Sequence, residues 1–227
     1  MGAPITPVVV LFDVDETLVH TGGAGARSWM AAFQQLHGIP ADIGAHTSAG
    51  ETDPQVARAT FTAVLHREPT TEELSKLYAA YLRYLGGEIW ASEHYRVLPG
   101  AQDTLLRLGD AGVMLGLVSG AMEGAARTKL VPANLNRFFV FGGYGSDSAD
   151  RTELTQIAID KASRLHGVRL ERDQVFVVGD TPRDMEATSA AGAVPVGVAS
   201  GHYSADELLA AGGEHVLGSL ENPFPGL

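Results

Sequence analysis

Val8-Val9-Val10-Leu11-Phe12 is an unbroken apolar run, and four of its side chains are valine or leucine. β-Branched residues packed this densely, with no polar alternation, suit a strand buried on both faces. Such a strand is not stable alone and needs a sheet to join. The neighbours come from far along the chain. From Val97 onward the pattern alternates: residues 113–118, 138–141, 175–178 and 194–198 read as buried strands, and 101–110, 152–166 and 184–191 read as helices. Alternation of this kind predicts a parallel sheet flanked by helices, a Rossmann-like α/β core. Residues 20–96 are different, with helical patterns and no convincing strand. Trp29, Phe33 and Leu36 share helical spacing, and Gly38 with Pro40 stops that helix. Thr70 and Glu73 form a capping-box pattern ahead of a stripe made by Leu74, Leu77, Tyr78, Tyr81, Leu82 and Leu85, with Gly86-Gly87 expected to end it. The expected organisation is an α/β core from 1–19 and 97–227, with an all-helical cap domain, 20–96, inserted between.

Composition narrows the chemistry. The 227 residues include no cysteine, which excludes disulfides, thiolate nucleophiles and Cys-ligated metals. The formal net charge of −11 lacks the basic footprint of a nucleic-acid binder. A small anion is still compatible, because a bound cation can reverse the potential inside a cleft. No basic stretch precedes Val8–Phe12, and the run is too short for a signal core or a membrane span. Met1-Gly2 opens like an acylation signal, but Pro4 and Pro7 crowd position 6, and an ordinary processed terminus is the better reading. The expectation is a cytoplasmic protein with no membrane partner.

Ligands of open parallel sheets bind beyond the carboxyl ends of the strands. Strand 8–12 ends in Asp13-Val14-Asp15-Glu16-Thr17, and strand 113–118 in Ser119-Gly120. Strand 138–141 leads through Gly142-Gly143 to Asp147, Asp150 and Arg151, and strand 175–178 ends in Gly179-Asp180-Thr181-Pro182-Arg183-Asp184. Carboxylates, hydroxyls and an arginine thus converge on one sheet edge. Carboxylates at this density repel one another unless a cation intervenes. An oxygen-rich set without cysteine or paired histidine suits a hard ion such as Mg²⁺, which implies phosphoryl transfer.

These residues carry a resemblance. The chain resembles the haloacid dehalogenase superfamily, in its phosphoglycolate-phosphatase-like branch with a helical cap. Asp13, Asp15 and Thr17 match the first family motif, Ser119 the second, and Gly179, Asp180 and Asp184 the fourth. The stretches Val118–Leu130 and Gly142–Leu154 are similar in detail. There are two departures: Glu16 stands where the family has glycine, and Arg151 where it has lysine, with Lys161 as the second choice for that role. The resemblance implies an Mg²⁺-dependent phosphatase acting on a small phosphorylated metabolite. Asp13 is then the nucleophile, forming an aspartyl phosphate, and Asp15 the acid and base. Metal ligation falls to Asp13, Asp15 (through its carbonyl), Asp180 and Asp184. Thr17, Ser119, Gly120 and Arg151 bind the phosphoryl oxygens.

Other features weigh less. Gly22-Gly23-Ala24-Gly25 lacks the third glycine of a dinucleotide loop and reads as a hinge into the cap. His20, His37, His46, His66 and His94 show no metal-ligand spacing. Asp53 and Arg27 are candidates for substrate specificity. Asp15 argues against dehalogenation, and the solvated setting of Lys76 against a Schiff-base phosphonatase. A sugar phosphomutase shares the Asp pair, and a catalytically idle binding module shares the fold.

Overall fold

The computed structural model describes residues 7–227, so Met1-Gly2 lies outside the described range. In chain order, β1 (Val9–Phe12) and a two-residue β2 (Val19–His20) precede the helices α1 (Ala24–His37), α2 (Asp53–Leu65) and α3 (Thr71–Ala91). A short β3 (Arg96–Val97) follows, then α4 (Ala101–Asp110), β4 (Met114–Ser119), α5 (Glu123–Leu130) and β5 (Gly142–Tyr144). The chain continues through α6 (Arg151–His166), β6 (Val175–Gly179), α7 (Pro182–Ala190), β7 (Val194–Val198), α8 (Ala205–Ala210) and β8 (His215–Leu217).

The main sheet has the order β5-β4-β1-β6-β7-β8 with every neighbour parallel. The all-apolar run lies at its centre, where Leu11 sits opposite Gly116 on one side and Val177 on the other. Its side chains alternate between two cores. Val9 and Leu11 pack with Leu154 and Ala158 of α6, whereas Val10 and Phe12 pack with Leu105 and Ala125 of α4 and α5. Each of the four is completely buried, a contribution of about 2 kcal/mol apiece.

β2 and β3 pair antiparallel, Val19 opposite Val97, and together frame the way into and out of the helical insert. Inside the insert Trp29 stacks on Tyr81 at 4.7 Å, and Phe33 meets Phe61 edge-on at 5.3 Å. The capping box forms as expected: the Glu73 amide donates to Thr70 Oγ1 (3.2 Å), and the Thr70 amide to Glu73 Oε2 (2.9 Å). The insert's core is continuous with the α4/α5 side of the sheet. Among the described residues, no helix is long and apolar enough to cross a membrane.

Two expectations need correction. The third sheet strand is Gly142–Tyr144, not 138–141, and a 3₁₀ turn occupies Leu135–Phe138. The apolar side chains of Phe139 and Phe141 are buried, but the chain can approach β4 and α6 only where it has no side chain. A Cβ on Gly143 would lie 1.9 Å from the Leu154 carbonyl oxygen. Second, α3 runs through Gly86-Gly87 to Ala91. Burial of Leu85 and Ile89 across the pair outweighs about 1 kcal/mol of helix propensity lost per glycine.

Candidate active site

The carboxyl edge of the sheet places Asp13 first. Its amide donates to the Val178 carbonyl at 2.9 Å, which extends the β1–β6 ladder by one residue and leaves the side chain pointing past the strand end. A loop then turns sharply. The Leu18 and Val19 amides donate back to the Val14 carbonyl (3.0 and 3.1 Å), and the Glu16 amide donates to the Val19 carbonyl (2.9 Å). Glu16, at the glycine position of the family motif, adopts a left-handed φ of 55°. Its carbonyl accepts from Ser200 Oγ (2.6 Å), and its carboxylate pairs with His20 (2.6 Å). The residue is accommodated at the cost of strain that glycine does not carry.

Across the edge, Thr181 and Asp184 form a capping box at the start of α7. Both the amide and the hydroxyl of Thr181 donate to Asp184 Oδ2, at 2.9 and 2.6 Å. Gly179 admits this arrangement, since a Cβ there would lie 2.3 Å from the Asp184 carboxyl carbon. Arg151, the first residue of α6, is buried among the acids. Its Nε and Nη2 donate to Asp184 Oδ1 (2.9 and 2.5 Å), Nη2 lies 3.3 Å from Asp13 Oδ2, and Nη1 donates to the Gly50 carbonyl of the insert (3.1 Å). The arginine therefore stands beside the expected nucleophile.

The electrostatics are tense. Burial pushes the Asp13 carboxyl up to about 7, with Asp184 and Asp15 adding to the rise and Arg151 opposing it. Asp180 is pushed up to about 9 by burial and by its neighbours Asp184 and Asp13. One ligand atom from each of Asp13, Asp180 and Asp184 falls within 4.8 Å of the others. Three buried carboxylates, all-oxygen donors with one guanidinium among them, fit a hard divalent cation such as Mg²⁺. Asp184 has both oxygens engaged, by Arg151 and Thr181, so it orients the arginine and the α7 terminus as well.

A cleft of about 190 Å³ opens here, lined by Asp13, Asp15, Ser119, Gly120, Arg151 and Asp180, among others. Several expected residues stand elsewhere. Thr17 is completely buried and does not line the cleft, and its hydroxyl donates to Asp180 Oδ1 (3.3 Å). Its hydroxyl therefore holds an acid. Lys161 is tied to the Gly142 carbonyl (2.8 Å) and to Asp147, outside the cleft. Asp150 caps α6 by accepting from the Glu153 amide. Arg27 pairs with Glu88 on the insert surface and does not reach the cleft. Asp53 does reach it: its Oδ2 accepts from the Met122 amide (2.8 Å), and burial pushes its carboxyl up to about 6.

Lys129 and His202 are among the cleft residues to which the sequence reading gives no role. Lys129 lies in the last turn of α5 with 6% of its surface exposed, and its Nζ is 2.5 Å from Asp15 Oδ2. Burial works against its charge, but Asp15, Tyr81 and Asp53 raise its pKa above the ordinary lysine value. A signal was present in the sequence. Lys129 shares a helix face with Ala125 and Ala126, small residues four and three positions earlier, and a lysine on such a face needs a buried counter-charge.

The insert closes one wall. The Asp53 amide donates to the Gly120 carbonyl (2.8 Å), Thr52 Oγ1 donates to the Ala149 carbonyl (3.0 Å), and Glu51 faces Arg183 at 3.6 Å.

Comparison with known proteins accords with this edge. A family model described as haloacid dehalogenase-like hydrolase matches residues 8–192. A phosphoglycolate phosphatase of Rhodospirillum rubrum is 32% identical over 215 residues, 91% of this chain and 85% of that protein. One from Salmonella choleraesuis is 25% identical, spanning 96% of this chain and 91% of its own. Among solved structures, a hydrolase from Pseudomonas syringae superposes with a TM-score of 0.69 at 21% identity, covering 92% of both chains. CbbY from Rhodobacter sphaeroides, in complex with phosphate, gives 0.69 at 16% identity and 95% coverage of both. With a family model spanning most of its length and a phosphatase relative 32% identical over 91% of it, the chain belongs to the haloacid dehalogenase-like hydrolases, as a phosphatase.

Proposed function

We propose that this phosphatase hydrolyses a small phosphomonoester of the phosphoglycolate type, with Asp13 as nucleophile and Mg²⁺ as cofactor. The observation that carries the reading is the placement of Asp13 in a narrow cleft, at the end of the central strand, 3.3 Å from the Arg151 guanidinium. The phosphatase relatives support the same substrate class.

Asp13 attacks phosphorus in line and divides one hard displacement into two easier ones through an aspartyl phosphate. Asp15, two residues on, gives a proton to the departing oxygen and later takes one from the attacking water. Arg151 and the Ser119-Gly120 turn hold the phosphoryl oxygens, and their charge and dipoles are fixed before reaction begins. Asp13, the Asp15 carbonyl and Asp180, with Asp184 behind them, would hold the Mg²⁺. When bound, the ion offsets the charge on phosphate and nucleophile together. The insert wall from Gly50 to Asp53 excludes water. The cytoplasmic assignment rests on this substrate class.

Asp13→Asn tests the reading. The amide is a poor nucleophile, and turnover of phosphoglycolate or p-nitrophenyl phosphate with Mg²⁺ falls by about 10⁴-fold while the fold is retained. Turnover within tenfold of the parent by a folded Asp13→Asn protein would remove Asp13 from its assigned role.

A further inference from the structure

Lys129 has no part in the phosphoryl chemistry described above, yet it is buried, charged and open to the cleft. The cleft's two strong cations are divided between its acids. Arg151 holds Asp13 and Asp184, where phosphorus is attacked, and Lys129 holds Asp15, where the leaving group departs. The leaving-group end is otherwise acidic or apolar. Asp53 lines the cleft from the insert, and Asp53 and the buried Tyr81 of α3 both favour the charged form of Lys129. A neutral substrate would gain nothing from a lysine there, and the lysine would stay clamped on Asp15.

We propose that Lys129 reads the leaving group: it binds an anionic substituent, such as a carboxylate, carried one or two carbons from the ester oxygen. When that anion pairs with Nζ, the ammonium has an alternative to Asp15, and the Asp15 side chain is released to take a proton from solvent and turn toward the ester oxygen. The exchange gives the buried ammonium one counter-ion in place of another. It avoids the several kcal/mol of cost that an uncompensated buried charge carries. Specificity and positioning of Asp15 are thus joined in one residue. A neutral ester leaves Asp15 paired with Lys129, and a charged one frees it.

The inference rests on the phosphatase reading and is tested apart from it, by equilibrium binding. The probes are phosphoglycolate and ethyl phosphate, of similar size and differing in one negative charge, with Mg²⁺ present. The protein is the Asp13→Asn variant, which holds an ester without consuming it. It binds phosphoglycolate at least tenfold more tightly than ethyl phosphate. Adding Lys129→Met abolishes the difference by weakening phosphoglycolate alone, and adding Lys129→Arg restores part of it. Equal affinity of the Asp13→Asn protein for the two probes overturns the proposal with no change at position 129. So does a Lys129→Met substitution that weakens both probes alike, which marks a structural role. In wild-type enzyme the same preference is read in kcat/KM. Failure of wild type to hydrolyse any phosphomonoester counts against the phosphatase reading, whereas loss of discrimination in binding counts against Lys129.

Discussion

Replacing Arg151 by lysine keeps one buried positive charge and removes its fork. In the structure the guanidinium serves Asp184 through two nitrogens, lies 3.3 Å from Asp13, and donates to the Gly50 carbonyl through a third nitrogen. A lysine ammonium is a point charge on a flexible stem and reaches one or two of these partners at a time. One charge-assisted hydrogen bond left unmade costs about 2 kcal/mol. Arg151→Lys should therefore lower the unfolding free energy by about that amount, or Tm by about 4–8 °C for a chain of this length. Arg151→Met removes the charge and leaves Asp13 and Asp184 facing each other in a buried site, which costs about 3–5 kcal/mol. The same 2 kcal/mol taken from the transition state lowers kcat/KM of the lysine variant about 30-fold. Urea denaturation in metal-free buffer and steady-state kinetics with Mg²⁺ measure the two effects. The reasoning fails if the lysine variant matches wild type in both stability and kcat/KM, or if the methionine variant is no worse than the lysine one.

Glu16 should respond in the reverse of the usual order. At a φ of 55° alanine keeps the left-handed strain of about 1 kcal/mol and glycine removes it, so Glu16→Gly is more stable than Glu16→Ala by about 0.5–1 kcal/mol. Relative to wild type the glycine variant is nearly neutral. Loss of the partly exposed His20 pair (about 0.3–0.5 kcal/mol) and greater freedom of the unfolded chain offset the relief. Equal or higher stability of the alanine variant in urea titration would refute this. The raised carboxyls predict a pH trend in metal-free protein. Asp13 and Asp180 titrate near 7 and 9 when folded, against 3.8 in the free side chain, so the folded state binds the extra protons. Stability is then greatest at low pH on this account and declines as pH rises through 7 and 9. Metal-free Tm should fall between pH 5 and 9, and millimolar Mg²⁺ should remove most of the fall. A flat profile, or one insensitive to Mg²⁺, contradicts the assignment of these carboxylates to a cation site.

The sheet was legible where strands were continuously apolar. Val8–Phe12, 113–118, 175–178 and 194–198 all correspond to strands of the main sheet. It was not legible where close approach mattered more than side-chain character, as at Gly142–Tyr144, nor for the short β8, which is only partly buried. At the site, strand ends pointed to Asp13, Ser119 and Asp180 because position along a parallel sheet is read directly from the strand pattern. For Lys129 the sequence signals only that the lysine needs a counter-charge, and for His202 nothing, since a helix face and a loop after β7 come to the cleft only through tertiary packing. Thr17 shows the converse. Its place in the motif was visible, but the direction of its hydroxyl, toward Asp180, depends on how the loop folds back.

The two acids of the first motif are two residues apart and differ in how firmly their backbone is held. The Asp13 amide is bonded into a ladder at the centre of a six-stranded parallel sheet. Amides in such a place exchange with solvent only when the whole domain unfolds. Asp15 lies past that ladder, in a loop closed on itself by the Glu16, Leu18 and Val19 amides, and its side chain is 41% exposed. On the proposed mechanism the residue that attacks is fixed by the sheet, and the residue that carries the proton has room to turn. The division falls at Val14.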